Sequence, residues 1–338
     1  MVTMADVART AGVSTTTVSH VLNGTRPVNP ATVERVQAAI VQTGYSQNTI
    51  ARALARARTQ SLGLAINGLS NPYFSDVIAA VEEEAGRARH TLLLGDTRDD
   101  PEHELVIVRA LVERRVDGLL LAPSAGAAEH VLPYLARQEL PVVLLDRFVA
   151  GAPLDQIGAE NAEPTAGLVD HLVGLGHRRI GMVVGSPGLS TTYERIAGYH
   201  EGLSRHGVRV DEALVVGGGS QRDAAGAATR TLLDLPEPPT AIISGNNAMT
   251  IGIMRALAER GLRVPDDLAL VAFDDFEWAD LFAPRLTVVR QPTDELGHRA
   301  VRLLLERLDD PSLPPRTVRL PTTFVQRDSG GGPRGDGR

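Results

Sequence analysis

The stretch AGVSTTTVSHVLN, residues 11–23, sets apolar side chains at helical spacing and leaves Thr15, Thr16, Ser19 and His20 on its other face. That face carries neither Lys nor Arg. A solvated helix face usually carries charge. A short face of hydroxyls and one imidazole suits a partner with donors and acceptors of its own.

Outward from that stretch, residues 3–44 read as three short helices. The first is predicted over about residues 4–10, and Gly12 supplies a turn at positive φ without steric cost. The second begins after Ser14, a favourable N-cap. Val18, Val21 and Leu22 give it a narrow inward stripe. The third is predicted over about residues 30–43, with Pro30 in its first turn and Val33, Val36 and Ile40 inward. Ala8, Gly12, Val13, Val18 and Val21 have the spacing of a helix-turn-helix, although an ordinary αα-hairpin shares it. In a helix-turn-helix the N-terminal residues of the second helix enter the major groove. Thr can hydrogen-bond there and lay its methyl against thymine, while arginines on the flanks meet phosphate.

Charge separates this head from the rest. Residues 1–60 hold six arginines against Asp6 and Glu34, whereas the whole chain has a net charge of −7. A basic head on an acidic body points to a polyanion at the head alone. All 34 basic residues are Arg, which reads as codon bias in a chain rich in Ala and Gly.

From Ser61 the pattern alternates strand with helix. Apolar runs occur at LGLAI, TLLLG, GLLLA, PVVLL, RIGMVV, ALVVG, TAIIS and LALVAF. Fully apolar runs between helices mean buried parallel strands, hence a doubly wound α/β body, and two sets of such units mean two lobes. The fold class expected is a two-lobed, doubly wound α/β body of parallel sheets behind an all-α head. The expected domains are a DNA-binding head at 1–46 and a hinge helix and linker at 47–60. An effector and dimerisation domain follows at 61–328. Its N-lobe takes about 61–158 and 290–320, its C-lobe about 159–289 and 321–328. The Gly-rich SGGGPRGDGR at 329–338 is expected to be disordered. Residues 49–57, TIARALARA, are expected to form a helix only with a partner.

The chain has no cysteine, no run long enough to span a bilayer, and no basic-then-apolar leader, which points to the cytoplasm. No metal, cofactor or catalytic residue is expected. GxGxxG after the first strand, GxxxxGK[ST], GxSxG and HExxH are all missing, and Asp274 and Asp275 are adjacent, so their side chains diverge.

VTMADVARTAGVSTTTVSHVLNG, followed by TRPVNPATVERVQAAIVQTGYSQNTIARALARARTQSLGLAI, resembles the LacI/GalR family of bacterial transcription regulators. SNPYF, LGHRRIG, ERIAGY and DDLALVAFDD in the body are similar too. The resemblance implies that Thr15, Thr16 and His20 read bases. It also implies that Leu54, flanked by Ala51 and Ala55, wedges into the minor groove, where an exposed apolar side chain gains a place by unstacking a base step. Thr17, Ser19, Asn23, Thr25 and Asn48 complete the expected DNA-contacting set. The resemblance places effector contacts at Phe74, Asp146, Arg195, Asn246 and Asp274. Arg147, which also ends an apolar run, and Gln221 join them. Carboxylates with Arg and Asn suit sugar hydroxyls or an acid group. Three positions depart from the family: His20 where Arg is frequent, Asn247 where Asp is common, and Gln221 about where sugar binders stack an aromatic ring.

The expected function is therefore a homodimeric DNA-binding regulator, a repressor. It would grip a pseudo-palindromic operator of double-stranded DNA and answer to a small polar effector, a sugar or sugar derivative. A transport solute-binding protein would share the body but would need a leader and would not need residues 1–58. A sugar-modifying enzyme would need a motif.

Overall fold

Ser14 ends one turn and starts the next helix in the computed structural model, which describes residues 2–24, 26–45, 58–68 and 71–331. Its Oγ accepts from the Thr17 N–H at 3.1 Å, so α2 (Thr15–Asn23) begins where a hydroxyl satisfies a free donor. Before it, α1 (Met4–Ala11) opens on a capping box between Thr3 and Asp6 and stops at Gly12, whose φ is +64°. The third helix, α3 (Pro30–Thr43), carries Pro at its start and an Asn29 cap. Val7, Ala8, Ala11, Val18, Val36 and Ala39 form the small core these helices share. Residues 1–59 and 60–338 are separate compact units.

The body holds two six-stranded sheets. In the N-lobe, β1 (Ser61–Ile66), β2 (Thr91–Asp96), β3 (Gly118–Leu121), β4 (Val142–Leu145), β5 (Asp155–Ala159) and β11 (Thr317–Leu320) lie in the order β11-β5-β4-β3-β1-β2, all parallel. In the C-lobe, β6 (Ile180–Val184), β7 (Val215–Gly217), β8 (Ala241–Ser244), β9 (Ala269–Phe273), β10 (Thr287–Arg290) and β12 (Thr323–Val325) lie in the order β12-β10-β9-β8-β6-β7, parallel except for the β10–β12 pair. The two-residue period of a strand divides each sheet's side chains between two helical layers. Within β1 (Ser61–Ile66), Leu62, Leu64 and Ile66 pack with α4 (Pro72–Arg87) and α11 (Thr293–Asp309), while Ala65 packs with α5 (Pro101–Glu113). Each buried Leu of this kind contributes roughly 1.5–3 kcal/mol.

Chain crossings between the lobes follow β5 (Asp155–Ala159), β10 (Thr287–Arg290) and β11 (Thr317–Leu320). After β11 the chain returns to the C-lobe as β12 (Thr323–Val325). No helix of the described residues is long and apolar enough to cross a membrane.

One expectation needs correction. Disorder was expected over 329–338; residues 332–338 lie outside the described residues, but Ser329 is fully buried. Its Oγ donates to Leu270 O at 2.5 Å and accepts from the Thr287 N–H at 2.8 Å. The Gly331 carbonyl accepts from His177 Nε2 at 2.7 Å. Smallness makes this possible: a Cβ on Gly330 would lie 2.7 Å from the His171 ring. On α11, Leu296, Ala300, Val301, Leu303 and Leu304 make the inward face. All five are buried in the N-lobe core.

Candidate functional site

The head presents its expected surface in part. Thr15 and Thr16 are exposed, and Thr17, Ser19 and His20 are half-buried. The Thr17 hydroxyl bonds Ser14 Oγ at 2.9 Å and so helps to close the cap. Thr25, Asn48, Ala51, Leu54 and Ala55 lie outside the described residues, as do the side chain of Asn23 and the segment 49–57.

In the body, a cleft of about 590 Å³ lies between the lobes at the strand C-termini. Phe74, Asp146, Arg147, Arg195, Gln221, Asn246 and Asp274, which are brought together from both lobes, all line it. The volume is that of a small-molecule site.

Asp146 is the first residue after β4 (Val142–Leu145), with φ +70°. Its Oδ1 accepts from the Tyr73 hydroxyl at 2.5 Å. Burial is the main force pushing its carboxyl above the usual range, and nearby Arg147 opposes the shift. Tyr73 is itself pushed well above the ordinary phenol value, first by burial and then by the Asp146 charge.

Asp274 is the first residue after β9 (Ala269–Phe273), with φ +76°. Gln291 Nε2 donates to its Oδ1 at 2.6 Å, and the Asn247 N–H to its Oδ2 at 3.3 Å. Burial raises this carboxyl also, against the pull of Arg195. Its neighbour Asp275 points elsewhere and pairs with Arg290 and Arg327 at 2.6 and 2.9 Å. A general acid–base couple of the two is therefore ruled out by direction.

Arg195 lies on α8 (Ser190–Arg205). Its Nε donates to Asn161 Oδ1 at 2.9 Å, its Nη1 donates to Gly245 O, and its Cζ sits 3.7 Å from the Phe273 ring centroid. Arg195 and Asp274 thus rest on their own supports rather than on each other. A planar guanidinium held at one edge and one face keeps its remaining N–H groups for a ligand.

Arg147 lines the cleft and is also engaged within the N-lobe. Its Nη groups donate to Asp99, to Pro123 O at 3.0 Å and to Asn67 Oδ1 at 3.5 Å. It ties together loops that follow four N-lobe strands, and only its Nε lacks a hydrogen-bond partner. Asn246 caps α10 (Asn247–Glu259) through its Oδ1, which accepts from the Met249 N–H at 2.8 Å. Its amide is partly committed before any ligand arrives. Gln221 stands at the N-cap of α9 (Arg222–Leu233), exposed at the cleft wall. Phe276 packs in the C-lobe core and also lines the cleft; Trp278 beside it is 50% exposed.

Sequence reasoning missed Tyr73, Asn161 and Gln291, which position the charged residues. It also gave no ligand role to Asn247, which is 1% exposed at the cleft with neither side-chain polar atom hydrogen-bonded. A buried amide left unpaired is costly and is normally satisfied by water or ligand.

Residues 3–48 match the bacterial regulatory proteins of the lacI family, and residues 169–330 match the periplasmic binding protein-like domain. The HTH-type transcriptional repressor PurR of Vibrio atlanticus (strain LGP32) is 34% identical over 330 residues, 97% of this chain and 98% of the relative. The chain belongs to the lacI family. The ribose operon repressor of Escherichia coli (strain K12) is 32% identical over 97% of this chain and all of its own length. A lac repressor dimer solved with operator and the anti-inducer ONPF superposes with a TM-score of 0.87 at 29% identity, over 98% of this chain and 99% of that one. This lacI-family member is an effector-controlled, DNA-binding transcriptional repressor, not an enzyme.

Proposed function

We propose that the cleft takes a small, neutral, hydroxyl-rich molecule of sugar size. One observation carries this reading: two buried carboxylates, Asp146 and Asp274, enter the cleft from opposite lobes beside two guanidiniums, Arg147 and Arg195. Ionised carboxylates only accept, and a guanidinium only donates. A ring bearing several hydroxyls offers both roles at once. The charges of Asp146 and Asp274 are matched by those of Arg147 and Arg195, so a neutral ligand leaves the site balanced. Phe74 and Phe276 supply apolar contact for a ring face where Gln221 does not.

In this reading Phe74, Asp146, Arg195, Asn246 and Asp274 contact the effector, with Arg147 contributing its Nε and Gln221 the outer wall. Thr15, Thr16, Thr17, Ser19, His20, Asn23 and Thr25 contact the operator from the head. Asn48, Ala51, Leu54 and Ala55 do so from the hinge. The protein acts as a cytoplasmic homodimer on a pseudo-palindromic site, because a two-fold protein matches a two-fold operator. The ribose operon repressor among its relatives makes D-ribose the first sugar to test.

The test uses the full chain and an operator selected in vitro. Sugars that bind change the fluorescence of Trp278, the chain's only Trp, and change operator affinity together. A panel of pentoses and hexoses that moves neither, while an anionic metabolite moves both, would overturn the neutral-sugar reading.

A further inference from the structure

Asn161 stands between β5 and α7 (Ala162–Gly174), at the first passage from N-lobe to C-lobe, and is 1% exposed. Its Oδ1 accepts from Arg195 Nε at 2.9 Å. Its Nδ2 donates to Glu194 Oε2 at 2.9 Å and to Ala159 O at 3.1 Å. Glu194 and Arg195 are consecutive on α8, so one amide holds both.

Glu194 then reaches across to the N-lobe. Arg319 on β11 donates to it through both Nη groups, at 3.1 and 2.6 Å, just before the last crossing. The Arg319 guanidinium lies 4.3 Å from the Phe148 ring centroid, and the Phe148 N–H donates to Ser190 Oγ at 2.9 Å. The start of α8 is therefore fastened to the N-lobe at Ser190 and Glu194, and the next residue, Arg195, lines the cleft.

We propose that Asn161 is a positioning residue that couples ligand occupancy at Arg195 to the Glu194–Arg319 ion pair between the lobes. The guanidinium is planar and rigid. A ligand acceptor that draws on its Nη groups must also turn its Nε–H, which Asn161 holds. The amide is planar as well, so its Oδ1 cannot follow Arg195 without moving its Nδ2 relative to Glu194. In a buried setting none of these groups can be left unpaired cheaply, so the junction favours whole arrangements over partial ones. This rests on the reading that the cleft holds the effector.

The full-length repressor is tested with D-ribose as probe. Arg319→Met removes the inter-lobe pair from a partly exposed site and leaves Arg195 its supports. It is expected to keep the ribose dissociation constant within about threefold of wild type. The ratio of operator affinities without and with ribose should collapse by about tenfold, the size of an ordinary allosteric coupling. Asn161→Ala is expected to weaken ribose binding by about tenfold and to lose the response as well, since Arg195 loses its Nε acceptor. Asn161→Asp keeps an acceptor for Arg195 and removes the donor to Glu194, so ribose binding should stay closer to wild type than in Asn161→Ala while the response is still lost. A wild-type operator ratio in Arg319→Met would overturn the proposal.

A wild-type protein indifferent to ribose would count against the sugar chosen, and a ligand-free measurement then decides the coupling. The Arg195 Nε–H resonance, assigned by its loss in Arg195→Lys, should exchange slowly with water. Exchange should quicken by about tenfold in Asn161→Ala and measurably in Arg319→Met. An Arg195 resonance unmoved by Arg319→Met would overturn the coupling without reference to any ligand.

Discussion

Asp146 and Asp274 occupy one position in two lobes of one topology. Each is the first residue after the third strand in its sheet order, β4 or β9. Each has a left-handed backbone, and each sends its N–H to the next strand's carbonyl, Ile157 at 2.8 Å or Val289 at 3.0 Å. What differs is the support: a phenol holds Asp146, and an amide from a crossing holds Asp274. Left-handed backbone at a residue other than glycine costs energy that the surrounding fold must outweigh.

Titration of this pair gives the first expected outcome. Both carboxyls lie above their ordinary value because burial disfavours the charged form. A raised carboxyl pKa means that the folded state takes up protons before the unfolded one does. The cost of the charged form is present at neutral pH and is relieved as pH falls from the raised folded value towards the unfolded value of about 4. Asp274→Asn should therefore melt higher than wild type at pH 7, and the gap should close on acidification through that window. Sugar binding runs the other way, because hydroxyls donate to the ionised form. Wild-type affinity should fall with acidification, and titration calorimetry in buffers of different ionisation enthalpy should detect proton release. A pH-independent affinity would remove both carboxylates from the contact set.

Arg195→Ala should abolish the effector response. Operator affinity in ligand-free buffer should stay near wild type, because Arg195 rests on Asn161, Gly245 and Phe273 rather than on Asp274. Had the two formed a structural ion pair, a charge-reversed double variant would restore stability. Here it is expected to restore nothing. Circular dichroism melts and operator binding on the same preparations separate the two cases.

How much of this could be read in the sequence depended on where the cause lay. The head was legible because its signals are local: Ser14 caps, Gly12 turns, and the apolar spacing follows. Eight strands were legible as apolar runs. DQIGA, TVVR, TVRL and TFV were not, since they are short and mixed. Asp155 in the first looks like a loop residue, yet it is 1% exposed and held by Arg307 and Arg316 at 3.0 and 3.2 Å, from far along the chain. Asp146 and Asp274 announced themselves as polar residues ending apolar runs. Asn161 and Gln291 had no such mark, because the crossings that bring them to the cleft are set by tertiary packing.

At the head, Thr16→Ala should cost about 1–3 kcal/mol at the selected operator and relax preference at one base pair. Nonspecific binding should barely change, since that depends on phosphate contacts. A gel-shift series over single-base operator variants measures both. Equal losses on specific and nonspecific DNA would show that Thr16 reads no base.

Assembly is the last expected outcome, and it turns on which apolar side chains remain for a partner. Leu303 and Leu304 of α11 are spent on the N-lobe core, so Leu304→Ala should destabilise the fold by about 2–5 kcal/mol without a specific effect on association. Leu94 on the edge strand β2 (Thr91–Asp96) is 42% exposed, and Val106 on α5 is 59% exposed. An edge strand with an uncovered Leu is a surface that proteins usually pair or protect. If the homodimer meets at this edge, Leu94→Glu with Val106→Glu should yield a folded monomer. Sedimentation at micromolar concentration, without DNA, should show wild type as a dimer and the double variant at half that mass with an unchanged melt. The monomer should also lose most of its affinity for the two-fold operator, because each head alone reads one half-site. A double variant that stays dimeric would move the interface elsewhere on the body, and a monomeric wild type would remove the two-fold arrangement altogether.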